Sequence, residues 1–182
     1  MNFYRLWPKN GFEWVNAVNP DDYEYFHELR GEPFAGEWKP IEVRRVKADE
    51  NKPARISDFP WLGGHALILR DSAIRALSTF LLKDGELLSL VCDDGTPLYI
   101  FNSRLVDALN YDLSSVTYFP GTNRIMHLAD VVLIEERLQT VDIFRLPHRA
   151  SPTFVSQAVR EAVVAADLKG LDFEECLVLN RS

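Results

Sequence analysis

The chain has 182 residues, of which 47% are hydrophobic and 12% aromatic, and a formal net charge of −7. A chain this apolar can bury enough surface to offset the entropy of ordering, which excludes a disordered tail, and its length suits a single domain spanning residues 1–182. The negative charge is spread along the whole sequence with no dominant Lys/Arg block, which argues against nucleic acid as a partner.

No apolar run approaches membrane-spanning length, so no membrane partner is expected, and the opening MNFYRLWPKN lacks the features of a secretory signal. The only cysteines, Cys92 and Cys176, are expected as buried thiols in a reducing cytoplasm. Residues 1–55 carry Pro8, Pro20, Pro33, Pro40 and Pro53 among aromatics and charges. Proline lacks an N–H and disfavours helix in the preceding residue, so this part is expected as an irregular, Pro-rich N-terminal layer. Within it, Asp21–Arg30 fits a short helix with Asp21 and Asp22 at its positive end and Tyr25, Phe26 and Leu29 inward. Alternation of Ile41, Val43 and Arg45 within Glu37–Val46 fits a strand. Arg44, Arg45, Lys47, Lys52 and Arg55 are interleaved with Glu42, Asp49 and Glu50, the pattern of a solvated strand and turn.

From Ser57 onward one phrase recurs three times: an apolar strand, a small polar cap, an amphipathic helix. The Gly63-Gly64-His65 turn precedes the first, in which Leu67–Leu69 leads through Asp71 and Ser72 into a helix with Ala73, Ala76, Leu77, Phe80 and Leu81 on one face. Asp84 and Gly85 then open a strand from Glu86 to Cys92, closed by the turn signature Asp93-Asp94-Gly95. In the second, Leu98–Phe101 leads through Asn102 and Ser103 into Leu105, Val106, Ala108 and Leu109, with Asn110 as the helix end. Val116–Phe119 reads as a strand, 120–123 as a turn, Ala129–Ile134 as an apolar strand and Asp142–Leu146 as its antiparallel partner. Alternation within the latter puts Ile143 and Arg145 on one face and Phe144 and Leu146 on the other. In the third junction Thr153, Phe154 and Val155 lead to Ser156, whose hydroxyl can cap a helix burying Ala158, Val159, Ala162, Val163 and Ala166, and Gly170 supplies a left-handed stop before a last strand. The expected fold class is α+β, with a mixed, mainly antiparallel sheet and three strand-to-capped-helix junctions.

No nucleophile elbow, zinc-ligand helix, glycine-rich nucleotide loop or Cys/His ligand set occurs, so no catalytic residue, cofactor or metal is expected. His27, His65, His127 and His148 are scattered, and His65 reads as a packing residue.

Four phrases in fixed order remain: Ser57-Asp58-Phe59; Asn102 followed by Asp107-Ala108-Leu109; Asp142-Ile143-Phe144-Arg145-Leu146 followed by Ser156; and Gly170-Leu171-Asp172-Phe173. In this order they resemble the bacterial immunity proteins of polymorphic toxin systems, family eleven, also known as the MXAN-type immunity domain, over about residues 57–176. The resemblance implies a non-enzymatic cytoplasmic protein, a monomer or weak homodimer, that binds and neutralises a cognate secreted antibacterial toxin. The acidic chain would meet a basic toxin quickly, with Asp21, Asp22, Glu24, Glu28, Asp93 and Asp94 as candidate contacts. The loosely matching residues 1–55 are where specificity would reside. Asp142 and Arg145 are read as structural, tying the strand pair to the last helix. The alternative is a small enzyme or ligand-binding domain with its pocket near Asn102, Asp107, Asp142 and Arg145.

Overall fold

The computed structural model describes residues 1–34, 36–46 and 54–180. Lys47, Asp49, Glu50, Lys52 and Pro53 lie outside the described residues. In chain order the strands and helices begin with β1 (Phe3–Pro8), β2 (Val15–Ala17), α1 (Tyr23–Glu28), β3 (Ile41–Arg45), β4 (Trp61–Gly63), β5 (Ala66–Leu69), α2 (Asp71–Asp84) and β6 (Gly85–Cys92). They continue with β7 (Pro97–Ser103), β8 (Val116–Tyr118), β9 (Ile125–Leu128), β10 (Val132–Ile134), β11 (Ile143–Arg145), β12 (Thr153–Ser156), α3 (Gln157–Ala165) and β13 (Leu171–Leu179). The fold is mixed α+β. One sheet has the order β10-β13-β1-β12-β11 and the other β2-β3-β6-β7-β5-β4, with β8 and β9 forming a separate hairpin. The pairing is mainly antiparallel; β10–β13 and β3–β6 are parallel.

Helices α2 and α3 pack with inward faces of both sheets. Ala73, Leu77 and Leu81 from α2 and Val159 and Val163 from α3 share one core with Tyr4, Leu6, Leu67, Leu69, Phe101, Ile143 and Val155. The outer face of the six-stranded sheet is covered by Phe26 and Leu29, and that of the five-stranded sheet by the segments around Leu109, Leu128 and Leu138. As the alternation required, Ile143 faces the helices while Phe144 and Leu146 face the other way. Among the described residues no helix is long and apolar enough to cross a membrane.

Several expectations are corrected. The N-terminal segment is not an irregular layer: β1 is the middle strand of its sheet, hydrogen-bonded to both β12 and β13, and β2 and β3 extend the other sheet. Phe3, Tyr4, Arg5 and Leu6 are all buried, and a strand buried on both faces shows no alternation to read. Only the third junction is capped as expected, with the Ser156 hydroxyl accepting from Val159 N at 3.4 Å. At the first, the N-cap position is Arg70 without a side-chain cap, and the Ser72 hydroxyl donates to Asp58 instead. At the second there is no helix: Asn102 and Ser103 are strand residues, and the chain from Leu105 to Leu109 runs extended between bridges to Arg145 and Leu133. Neighbouring chain satisfies its backbone, as in the bond from Val106 N to Arg145 O, so the helical spacing is overridden. Asn110 accepts from the N–H groups of Asp112 and Leu113, an Asx turn rather than a helix end.

Val132–Ile134 does not pair with β11. It pairs parallel with β13, while the turn at 147–152 folds β12 back onto β11, with Arg145 opposite Thr153. Helix α3 ends before Gly170, where Asp167 takes the left-handed conformation (φ 54°). Gly170 (φ 112°) instead makes a close approach: a Cβ there would stand 1.8 Å from the Ser57 Oγ. Ala76, Ala158 and Ala166 are exposed, as is Tyr25, which is 55% accessible, so each buried helix face is narrower than its spacing suggested.

Candidate functional site

The loop 147–152 between β11 and β12 is held by a hydrogen bond from Leu146 N to the Ser151 hydroxyl, 2.8 Å, and it places Ala150 at φ 57°. A left-handed alanine costs about 1 kcal/mol, a strain of the kind found at ligand clamps and switch regions. Two concavities flank this loop, and His148 and Arg149 line both.

On one side is a groove of about 320 Å³ walled by Trp7, Trp14, Trp61 and Met126. Trp7, Trp14 and Met126 are 43%, 44% and 51% exposed, so two indoles and a thioether lie open to solvent in one place. The Arg5 guanidinium lies 4.9 Å over the Trp7 ring, and Trp14 meets Trp61 edge-on at 6.4 Å. Glu174 fixes this wall by accepting from Arg5 Nε at 2.6 Å and Trp7 Nε1 at 2.7 Å. Trp, Met and Arg with restrained geometry make up the composition that carries binding energy in protein interfaces.

On the other side is a cleft of about 220 Å³ lined by His27, Glu28, Arg30, Arg145, His148 and Arg149. Arg145, 3% exposed, donates to Ser103 Oγ at 3.3 Å, to His65 O at 3.1 Å and to Leu29 O. Burial lowers its pKa to about 10. Arg149 holds both Glu24 oxygens at 2.6 and 2.8 Å, and that hydrogen bond keeps the Glu24 carboxyl below its usual range. The His27 ring lies 4.4 Å from that of His65. Burial, reinforced by neighbouring cations, pushes His65 down to about 3 and lowers His27 as well; burial also lowers His148. The imidazoles are therefore neutral at neutral pH, and the positive charge of the cleft resides on guanidinium groups.

The six candidate contact carboxylates fall in separate places. Glu24 and Glu28 belong to the cleft side, whereas Asp22 shares a groove with Ile41 at the start of β3. Asp21 N donates to the Asn19 side chain beside it. Asp93 and Asp94 sit at the β6–β7 turn, where Asp94 accepts from Thr96 N at 2.9 Å and pairs with Arg45 at the end of β3. Asp93, Asp94 and Cys92 have ligand-type atoms within 4.8 Å of one another, but burial raises the Cys92 thiol to about 11, which disfavours the thiolate a metal needs. Arg44 is exposed, while Arg45 joins a buried network with Glu13 that the sequence did not suggest.

The motif residues are joints of the fold. Ser57 Oγ accepts from Phe59 N at 2.9 Å and donates to Lys169 O, and Asp58 accepts from Lys169 N at 2.7 Å, so the Ser57-Asp58-Phe59 phrase is fastened to the approach to Gly170. Asn102 accepts from Gly31 N at 2.7 Å and donates to Glu32 O at 2.8 Å. Asp142 accepts from Ser156 Oγ at 2.6 Å, tying β11 to α3, and Phe144 stacks on Phe154 at 5.3 Å. Arg145 makes the other expected tie elsewhere, to the Leu29 and His65 carbonyls rather than to the last helix. Asp107 is exposed and paired with Arg137 at 2.6 Å. Asn102, Asp107, Asp142 and Arg145 thus do not converge on one pocket: Asp107 and Arg145 line different cavities, and Asn102 is occupied with backbone.

Two buried carboxylates had no motif to announce them. Glu13, 2% exposed, takes Arg45 at 2.7 Å, Arg70 at 2.6 Å and Ser57 N at 3.0 Å. Asp84, fully buried, accepts from the N–H groups of Asp142 at 2.7 Å and Ile143 at 2.9 Å. His27 and His148, which line the cleft, and His65, which packs against His27, come from three separate segments, so only the fold assembles them.

An α+β protein that gathers exposed indoles beside a guanidinium-lined cleft has the surface of a binding protein. The model of the family described as immunity protein family (Imm11) matches residues 62–178, and the chain belongs to that family. The match runs from β4 through most of β13 and includes the 147–152 loop. Comparison with curated proteins yields no match.

Proposed function

We propose that the protein binds a cognate antibacterial toxin in the cytoplasm of the cell that produces both, and neutralises it by occlusion rather than by chemistry of its own. The observation that carries this reading is membership of an immunity family over the greater part of the chain. The exposed Trp7, Trp14 and Met126 supply an anchor surface, and a net charge of −7 would draw in a basic toxin from a distance, with Asp21, Asp22, Glu24, Glu28, Asp93 and Asp94 as candidate contacts. The core shared by α2, α3 and both sheets supports residues 1–182 acting as one domain, a preformed surface that loses little entropy on binding. We expect a monomer or weak homodimer in the absence of toxin.

The test is affinity purification of the tagged protein from its native cell at low and moderate salt. A single stoichiometric partner that is lethal when expressed alone, and harmless when co-expressed with this chain, is the expected result. Trp7→Ala with Trp14→Ala should weaken that complex by about thirtyfold or more, the effect of losing an interface hot spot. A purified complex unaffected by the double replacement would move the interface away from the groove, and a partner whose toxicity persists on co-expression would refute neutralisation.

A further inference from the structure

Arg145 is the least exposed arginine of the cleft, and none of its hydrogen-bond partners carries a charge. A guanidinium has five N–H groups, so these bonds leave two with no acceptor among the described residues. No carboxylate of the described residues lies within ion-pair reach of it, although Glu28 lines the same cleft. The other buried arginine, Arg5, pairs with the exposed Glu174, and the half-buried Arg70 and Arg45 share the buried Glu13. Burying a cation without one is costly, and the bonds to Leu29 and His65 hold this fork in place at the floor of an open cleft. The Nε2 atoms of His65 and His148 are also buried without a partner, so the surrounding polar groups are not satisfied internally.

We propose that this cleft is a carboxylate-binding site whose occupant, on the toxin reading above, is an Asp or Glu side chain of the bound toxin. The charges select that ligand. Arg30, Arg145 and Arg149 contribute three positive charges, Glu24 and Glu28 two negative ones, and the neighbouring imidazoles are neutral. These groups leave the cleft with a net positive charge for an anion, and a planar carboxylate matches the guanidinium fork. The site complements the acidic net charge of the chain: an acidic protein attracts a basic toxin from a distance, and this cationic cleft fixes its register by accepting a single carboxylate.

The experiment titrates the full chain with sodium acetate, using sodium chloride at equal ionic strength and inorganic phosphate as comparators. The readout is the side-chain NMR resonances of Arg145, His27 and His148. Saturable shifts with acetate in the millimolar range, absent with chloride and weaker with phosphate, are expected. Arg145→Gln should abolish them. Because that replacement also removes three internal hydrogen bonds and can unfold the chain, Arg149→Ala, on the exposed rim, is the companion variant, expected to weaken acetate about fivefold with the fold retained. Linear, non-saturating shifts, equal shifts with chloride, or tighter binding of phosphate would each overturn the proposal. Once the toxin is captured, its addition should displace acetate; acetate that still binds the complex would overturn the toxin side chain as occupant. Loss of acetate binding with toxin capture intact sinks the cleft alone, and acetate binding without any toxin partner sinks the toxin reading alone.

Discussion

Replacing Asp84 by Ala should lower stability by about 3–5 kcal/mol. The carboxylate is fully buried and accepts two backbone N–H bonds, from Asp142 at 2.7 Å and Ile143 at 2.9 Å, at the start of β11. Hydrogen bonds to a charged group contribute roughly 1.5–3 kcal/mol each, and the alanine variant leaves both donors buried and unpaired. In a chain of this size the corresponding drop in melting temperature is roughly 6–20 °C. Urea unfolding followed by circular dichroism measures it. Asp84→Asn, which keeps one acceptor oxygen, should recover at least half of the loss. Ile143 is two residues from Arg145, so the alanine variant should also disturb the Arg145 side-chain resonances at temperatures where the protein is still folded. A loss below about 1 kcal/mol in Asp84→Ala would refute the reasoning, because it would mean that water or a rearranged loop satisfies both donors.

Gly170→Ala should cost at least about 3 kcal/mol, since the new Cβ would lie 1.8 Å from Ser57 Oγ at a φ of 112°, and Ser57→Gly in the same chain should restore only part, because the backbone strain remains; thermal melts of the two variants check this. Stability should also fall as the pH drops from about 6.5 toward 3. His65 stays neutral in the folded chain down to about pH 3, while in the unfolded chain it takes up a proton near its ordinary value, so the unfolded state gains protons that the native state refuses. The slope from this one group approaches about 1.4 kcal/mol per pH unit, with no contribution above pH 7. Urea midpoints at pH 7.0 and 5.5 measure it, and equal midpoints would contradict the burial of the ring.

The sequence alone determined the elements whose cause is local. Helix α3 was legible because Ser156 caps it and Val159, Ala162 and Val163 recur at helical spacing. The two faces of β11 followed from alternation, and membership of the immunity family was legible in short phrases, three of which, from Asn102 on, fall inside the matched residues 62–178 while Ser57-Asp58-Phe59 lies just before them. Tertiary structure decided the rest, because the deciding contacts are distant in sequence. The segment Leu105–Leu109 has a helical pattern, yet its backbone is satisfied by strands more than twenty residues away. The segment Phe3–Trp7 has no alternation because it is sandwiched between two strands and two cores. His27, Arg145 and Arg149 meet only where β11 and β12 close their loop against α1, and Trp7, Trp14 and Met126 only where β1, the residue before β2 and β9 come together beside it. Charge, periodicity and caps are properties of neighbours along the chain, whereas a buried cation without a counter-charge is a property of which segments fold together.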